Sequence, residues 1–225
     1  MIRSLNNMTV QKLLLPTDPH ELPQFVMRRL HFAFETAFYN ILKNLEKPPQ
    51  TDLSNFLGYC EAWCITLLGH HETEETITFP YLQQKLDFAE EVEQHKKIHD
   101  ALDAFLEQIR LAKKDSAAFD PARMTQILKD AEDNLMAHLH QEIEDLAPDR
   151  LKVFSGEELA EMMKVSEKYA MKHSSPVVIL PLIRSHTPPE YKCFPPLPWA
   201  VEKLLLPFLA MRHSGYWKYA PYSVA

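Results

Sequence analysis

Prolines punctuate this chain at Pro48-Pro49, Pro80, Pro121 and Pro148, and the stretches between them contain none. Proline fixes its own backbone and lacks an N–H, so each of these points is where a helix stops or starts. Inside the stretches, apolar residues recur every three or four positions, the period of one helix face. The first, about 23–46, carries Met27, Leu30, Phe34, Phe38, Ile41 and Leu45 after the cap-like Asp18-Pro19-His20-Glu21. The second runs from Thr51 or Asp52 to about Thr78 with Leu53, Leu57, Cys60, Cys64 and Leu67. The third, about 85–114, shows Phe88, Val92, Leu102, Leu106 and Ile109. The fourth follows Asp120-Pro121 with Met124, Leu128, Ala131 and Leu135. Four such helices with short connections and no strand alternation predict an all-α fold, an antiparallel up-down four-helix bundle over residues 1–150 with an N-terminal arm.

Residues 151–225 read differently. Ser155-Gly156-Glu157-Glu158 starts one additional helix to about Lys172. Beyond it fall nine of the 17 prolines, interleaved with Tyr191, Phe194, Trp199, Phe208, Trp217, Tyr219 and Tyr222. Disordered tails are poor in aromatics. The segment is therefore expected as an irregular Pro-rich C-terminal wrap packed on the bundle, with a short helix near Trp199–Met211.

Composition removes several function classes. The net charge is -7, and no basic run is present to track phosphates, so nucleic acid is not an expected partner. Four glycines form no phosphate-cradling loop. The longest apolar runs are broken by proline and too short for a bilayer. Cys60, Cys64 and Cys193 are an odd number, and the first two, four apart on an apolar helical pattern, are expected as packing residues in a reducing, cytoplasmic setting. The first ten residues do not resemble a secretory signal, which leaves the sequon at Asn7 idle.

The informative residues are histidines, 11 in all. Each apolar stripe, extended along its helix, runs into polar side chains. The third helix continues through His95 and His99, the fourth through His138 and Glu142, the second through His71 and Glu75, and the first holds His31 with Glu35 one turn on. Buried imidazoles and carboxylates are costly unless paired or bound to metal. On helical geometry His71 falls in the centre of its apolar arc and His70 about 90° away. Glu75 is chosen as its i, i+4 partner, leaving Glu72 and Glu74 as solvated or supporting acids. At about 1.5 Å per residue, His31, His71, Glu75, His95, His99, His138 and Glu142 reach one level of the bundle. His20, His140, His173, His186 and His213 are read as surface or structural.

Five histidines and two carboxylates exceed the four ligands of a structural zinc site. Imidazole with carboxylate suits iron, and two irons offer about twelve positions. The imidazoles, two bridging carboxylates and a bridging solvent oxygen would leave about one open for O2.

The segments His70-His71-Glu72-Thr73-Glu74-Glu75 with Phe79-Pro80, Glu93-Gln94-His95 with His99, and His138-Leu139-His140-Gln141-Glu142 with Pro148 resemble the hemerythrin-like (HHE cation-binding) family over roughly residues 20–148. The resemblance implies a bundle holding a non-haem di-iron centre, two Fe ions with a bridging solvent oxygen. Its ligands would be His31, His71, Glu75, His95, His99, His138 and Glu142, supported by Glu35, Glu72 and Glu74. The O2-carrying members place an Asp five residues after the last histidine. Here Ile143 holds that place and Glu142 lies one earlier, which points away from simple O2 carriage. The tail looks like the extension of fungal members, some of which are oxidative enzymes of small-molecule metabolism.

Three functions follow as expectations. The first is an O2-activating di-iron oxidoreductase acting on a small organic metabolite, with O2 as co-substrate. The second is a reversible O2- or iron-binding protein, and the third a sensor of iron, O2 or nitric oxide. The first is preferred because a carrier needs only the bundle, whereas an enzyme must also shape an organic pocket beside the metals. The substrate, the reaction type and the oligomeric state are not readable from the sequence.

Overall fold

The structure is a computed structural model that describes residues 15–49, 51–192 and 194–224. The frame is four long helices, α1 (Leu22–Glu46), α2 (Leu53–Thr73), α3 (Ala89–Lys114) and α4 (Pro121–Asp145). Each start has a local cause. Pro23 sits in the first turn of α1, and Asp18 carbonyl oxygen accepts from the Glu21 and Leu22 N–H groups. Asp120 accepts the Arg123 N–H ahead of Pro121, the side-chain cap of α4. The third helix begins later than its periodicity predicts. Leu86 closes a turn onto Leu82, and Asp87 Oδ1 accepts the Ala89 N–H, so the chain enters α3 only there.

α1 packs on α2 and α4, and α3 packs on the same two helices, which closes a four-membered ring. Phe34, Phe38, Ile41, Trp63, Leu67, Leu102, Phe105, Ile109, Leu128 and Leu135 fill its centre. A buried side chain of this size contributes roughly 1.5–3 kcal/mol. Cys60 and Cys64 are buried among them. A second cluster, including Phe79, Leu82, Phe88, Leu146, Phe154 and Met162, closes the end where α2 leads into α3. Cys193, the N-terminal arm and the Asn7 sequon lie outside the described residues. Among the described residues there is no strand, and no helix is long and apolar enough to cross a membrane.

The C-terminal segment departs from the expected irregular wrap. After α5 (Gly156–His173), started by a Ser155/Glu158 capping box, the chain forms α6 (Pro176–Ser185) straight through Pro181. Pro181 forfeits one backbone bond. Leu182 and Ile183 beside it are buried in the same cluster as the bundle core, and that packing offsets the loss. Phe194 and Trp217 join the same cluster. Arg184, itself buried, ties the segment together by donating to the Lys192 and Phe194 carbonyls and pairing with Glu202 at 3.3 Å. Gly58 on α2 has no side chain because the Tyr216 ring occupies that space. A last helix, α7 (Leu206–Met211), follows a π-helical turn at Val201–Leu205, so the short helix expected near 199–211 is present.

Candidate metal centre

In the ring α2 has two neighbours, α1 and α3, and its consecutive residues His70 and His71 point one to each. Successive helical side chains diverge by about 100°. His71 faces α3, where its ring stacks on His95 at 3.9 Å and its Nδ1 lies 3.2 Å from His99 Nε2. His70 faces α1, with its Nε2 3.0 Å from His31 Nε2 and its ring 5.0 Å from Phe34. α4 supplies the middle. His138 Nε2 is 3.1 Å from His95 Nε2, and Glu142 Oε2 is 3.3 Å from His31 Nε2 and 3.8 Å from His138 Nε2.

The carboxylate from α2 comes from a change of helix type. α2 does not end at Thr73 but widens into a π-helical turn, Glu74–Thr78, where the Phe79 N–H reaches back to the Glu74 carbonyl. Such turns are rare and recur at functional sites. The turn brings Glu74 inside, 2% exposed, with Oε1 2.9 Å from His70 Nε2 and Oε2 3.7 Å from His95 Nε2. Glu75 is carried outward, with a side chain 37% exposed and its Oε1 accepting from His95 Nδ1 at 2.9 Å.

Two donor groups result. His71, His95 and His99 offer three nitrogens within 4.8 Å of one another, and His31, His70, Glu74 and Glu142 offer two nitrogens and two oxygens at the same spacing. Glu74 reaches toward both groups, as does the His95–His138 contact. The structure brings together a different set on α2 from the one the sequence reading chose. Glu75 supports His95 from outside, whereas Glu74 and His70 stand among the donors. The reason is visible in the chain. α2 is buried nearly all round, because α6 and the C-terminal segment cover its outer side, so Phe56, Tyr59 and Trp63 make a second apolar stripe that leads to His70. That stripe is the signal periodicity could have used. Glu35 and Glu72, expected as supporting acids, lie outside the cluster, with Glu35 facing His140 at 3.5 Å and Glu72 accepting from the Tyr169 hydroxyl at 3.0 Å.

The arrangement fits bound metal on three counts. First, tautomers are set from outside. His31 Nδ1 donates to the Leu139 carbonyl at 2.7 Å, His138 Nδ1 to Gln94 Oε1 at 3.1 Å and His95 Nδ1 to Glu75, which leaves each Nε2 lone pair aimed inward. Second, donors about 2.1 Å from an ion at right angles to each other lie about 3 Å apart, the separation seen in the imidazole pairs. Third, the donors are otherwise unsatisfied. His71 Nε2 and both oxygens of Glu74 and of Glu142 are buried without a hydrogen bond of acceptable geometry. Such orphans cost free energy that a cation would recover.

Electrostatics agree. Burial pushes the pKa values of His70, His71 and His95 down, and that of His138 down to about 2, which favours in these four the neutral form that a ligand needs. Burial, with the Glu142 carboxylate beside it, pushes the Glu74 acid well up. Glu75 is exposed and His99 and His70 are partly so, while the other donors are buried. The hollows shaped by the C-terminal segment are elsewhere. One is lined by Ser54, Asn55, Arg212–Tyr216 and Lys218, and the other by Pro207, Met211, Trp217 and Tyr222. The first lies about 24 Å along α2 from His70 and no donor residue lines the second, so neither is the pocket beside the site that the sequence reading expects. The extension meets the site instead through α5, where Ser166 bonds Thr78 of the π turn at 3.0 Å.

A helical bundle with nitrogen and oxygen donors converging in its core defines a protein that binds metal cations between its helices. The Hemerythrin HHE cation binding domain model matches residues 23–149, and the chain belongs to that family. Among curated proteins, the chain is 25% identical over 181 residues to the "Dimeric xanthone biosynthesis cluster protein R11" of Cryptosporiopsis sp. (strain 8999), an alignment covering 76% of this chain and 67% of that one. No solved structure matches.

Proposed function

We propose that this protein is a non-haem di-iron oxidoreductase that activates O2 and acts on a small organic metabolite. The observation that carries the reading is the pair of abutting donor groups, built wholly from imidazole and carboxylate, with buried Glu74 reaching toward both. The sulfur-free set suits iron. The similarity to a protein of a xanthone biosynthesis cluster adds a metabolic setting and an oxygenated aromatic as the substrate class to try first. The setting we assign is cytoplasmic, where thiols such as Cys60 and Cys64 stay reduced.

When bound, two ferrous ions supply electrons for O2 reduction and Lewis acidity at the reacting oxygen. The chain's part is to hold and orient. His71, His95 and His99 would hold one ion and His31, His70 and Glu142 the other, with Glu74 and His138 near members of both groups. Glu75 fixes the His95 ring through Nδ1 and raises its basicity. Glu74 gives up its proton on loading, because the cation replaces the burial penalty on its charge. The apolar packing of Phe34 and Phe79 against the imidazoles excludes water from the inner side, leaving the His99–Glu75 edge as the approach for O2 and substrate.

The test is to count iron in protein purified from iron-replete cells, reduce it, mix it with O2 and then remove the gas. Two irons per chain and an oxidation that an oxygenated aromatic accelerates, with product formed, support the enzyme. Full recovery of the starting spectrum over many cycles, with no metabolite changing the decay, means reversible O2 binding. One metal per chain ends the dinuclear reading.

A further inference from the structure

We propose that Tyr59 and His186 form a redox-active pair which, through Trp63, drains oxidising equivalents from the metal centre. The inference rests on the oxidoreductase reading above but concerns residues outside its site. Tyr59 is fully buried, and its hydroxyl lies 2.7 Å from His186 Nε2. His186 Nδ1 donates to the Leu182 carbonyl at 2.8 Å, so Nε2 bears the lone pair and Tyr59 is the donor. The two rings stack at 5.6 Å and 20°, and the Asn40 amide donates to the same hydroxyl at 3.0 Å. A phenol gives up an electron readily only if its proton has somewhere to go. Here the acceptor is aligned in advance in a dry interior.

The path to the metals is continuous. Tyr59, Trp63 and His70 lie on the same side of α2, about 6 Å and 10 Å apart along its axis. Trp63 donates its indole N–H to the Phe34 carbonyl at 3.1 Å, and the Phe34 ring touches His70 and His31 at 5.0 and 6.4 Å. In the other direction Tyr59 lies 6.1 Å from the ring of Tyr219, whose hydroxyl reaches Asp52 at the partly exposed end of the bundle. Trp63 divides one long electron transfer into two short ones.

The step balances as one electron and one proton. When O2 is reduced with no substrate to consume the oxidising equivalents, Trp63 passes an electron to the metal centre and Tyr59 refills Trp63. The phenolic proton moves to His186 Nε2, leaving a neutral phenoxyl radical beside an imidazolium. An oxidised phenol is a far stronger acid than any imidazolium, so transfer proceeds even though burial lowers the His186 pKa to about 4. Tyr219, and then a soluble reductant such as ascorbate, returns the electron, and the proton goes back to Tyr59. The pair is thus an outlet that spares the ligands from oxidation.

Two experiments separate this inference from the functional reading. In the first, diferrous protein is mixed with O2 without substrate and freeze-quenched for electron paramagnetic resonance, with iron content and O2 uptake measured on the same sample. A hydrogen-bonded tyrosyl signal is expected, altered by ring-deuterated tyrosine, lost in Tyr59→Phe and formed at least tenfold more slowly in Trp63→Phe. O2 uptake with no radical, or a radical surviving Tyr59→Phe unchanged, overturns the proposal. In the second, a ruthenium photo-oxidant in solution oxidises the full chain by flash, with no call on iron or O2. The same signal should form, and in His186→Gln its lifetime should fall at least tenfold. Success by flash alone, with no O2 uptake, leaves the pair standing and removes the oxidoreductase reading. Absence of the Tyr59 signal after the flash overturns the pair.

Discussion

Replacing His186 by leucine should make the protein less stable at neutral pH and more stable in acid, so that the two stability curves cross. At pH 7 the imidazole is neutral and bonded on both sides, to Tyr59 and to the Leu182 carbonyl. Leucine leaves both partners short of a bond in a dry setting, a loss of about 2 kcal/mol. The sign in acid is opposite. Burial holds His186 down to about 4, from an ordinary value of 6.5. A histidine with a depressed folded-state pKa contributes nothing against folding above 6.5. Below that the unfolded chain binds a proton that the folded chain refuses, and stability falls until about pH 4. At about 1.4 kcal/mol per pH unit, this removes about 3 kcal/mol that the leucine variant keeps. The curves should therefore cross near pH ~5. The two proteins differ at residue 186 alone, so contributions from the rest of the chain cancel in the difference. Guanidinium unfolding followed by circular dichroism at half-unit steps from pH 7 to 4 measures it. Parallel curves would show that His186 is protonated in the folded chain or exposed, and the argument from its burial would fail.

Three further outcomes are expected. Because His70 and His71 serve different donor groups, His70→Ala and His71→Ala should each lower bound iron well below that of the parent protein, a loss read by elemental analysis; an effect of His71→Ala alone would restore the single-stripe picture of α2. Glu74→Gln should abolish stable loading of the pair, whereas Glu75→Gln, which only loosens His95, should weaken metal affinity by roughly 10–100-fold, both read by competition with a chelator. Truncation after Lys172 removes Leu182, Ile183, Phe194 and Trp217 from the core cluster; at roughly 1.5–3 kcal/mol each their loss rivals the whole stability of an ordinary domain, so the truncated chain should lose its cooperative thermal transition in circular dichroism.

How far the sequence speaks depends on how each helix is covered. α1, α3 and α4 keep an exposed face, so their apolar arcs are sharply centred, and His31, His95, His99, His138 and Glu142 can be followed along them into the core. α2 is enclosed by α1, α3 and the C-terminal segment, and a helix buried nearly all round has no single arc to centre on. His70 escapes a periodicity argument for that reason. Glu74 and Glu75 exchange places for a different one. A uniform step of 100° per residue cannot represent the wider π turn at Glu74–Thr78. α6 is obscured by Pro181, whose breaking tendency is a local signal outweighed by the burial of Leu182 and Ile183, which is a tertiary one.

The placement of His70 and His71 on one helix has a mechanical consequence. Turning α2 about its axis carries one imidazole toward its donor group and the other away, so the two groups share a single angular coordinate. On the two-ion reading proposed above, the first ion to bind would set that angle and, with it, Glu74. The second then meets ligands already in place and pays less ordering entropy than the first. Loading should thus be cooperative, with singly occupied chains scarce at half-saturation. The same lever runs backward, since losing either ion loosens the hold on the other.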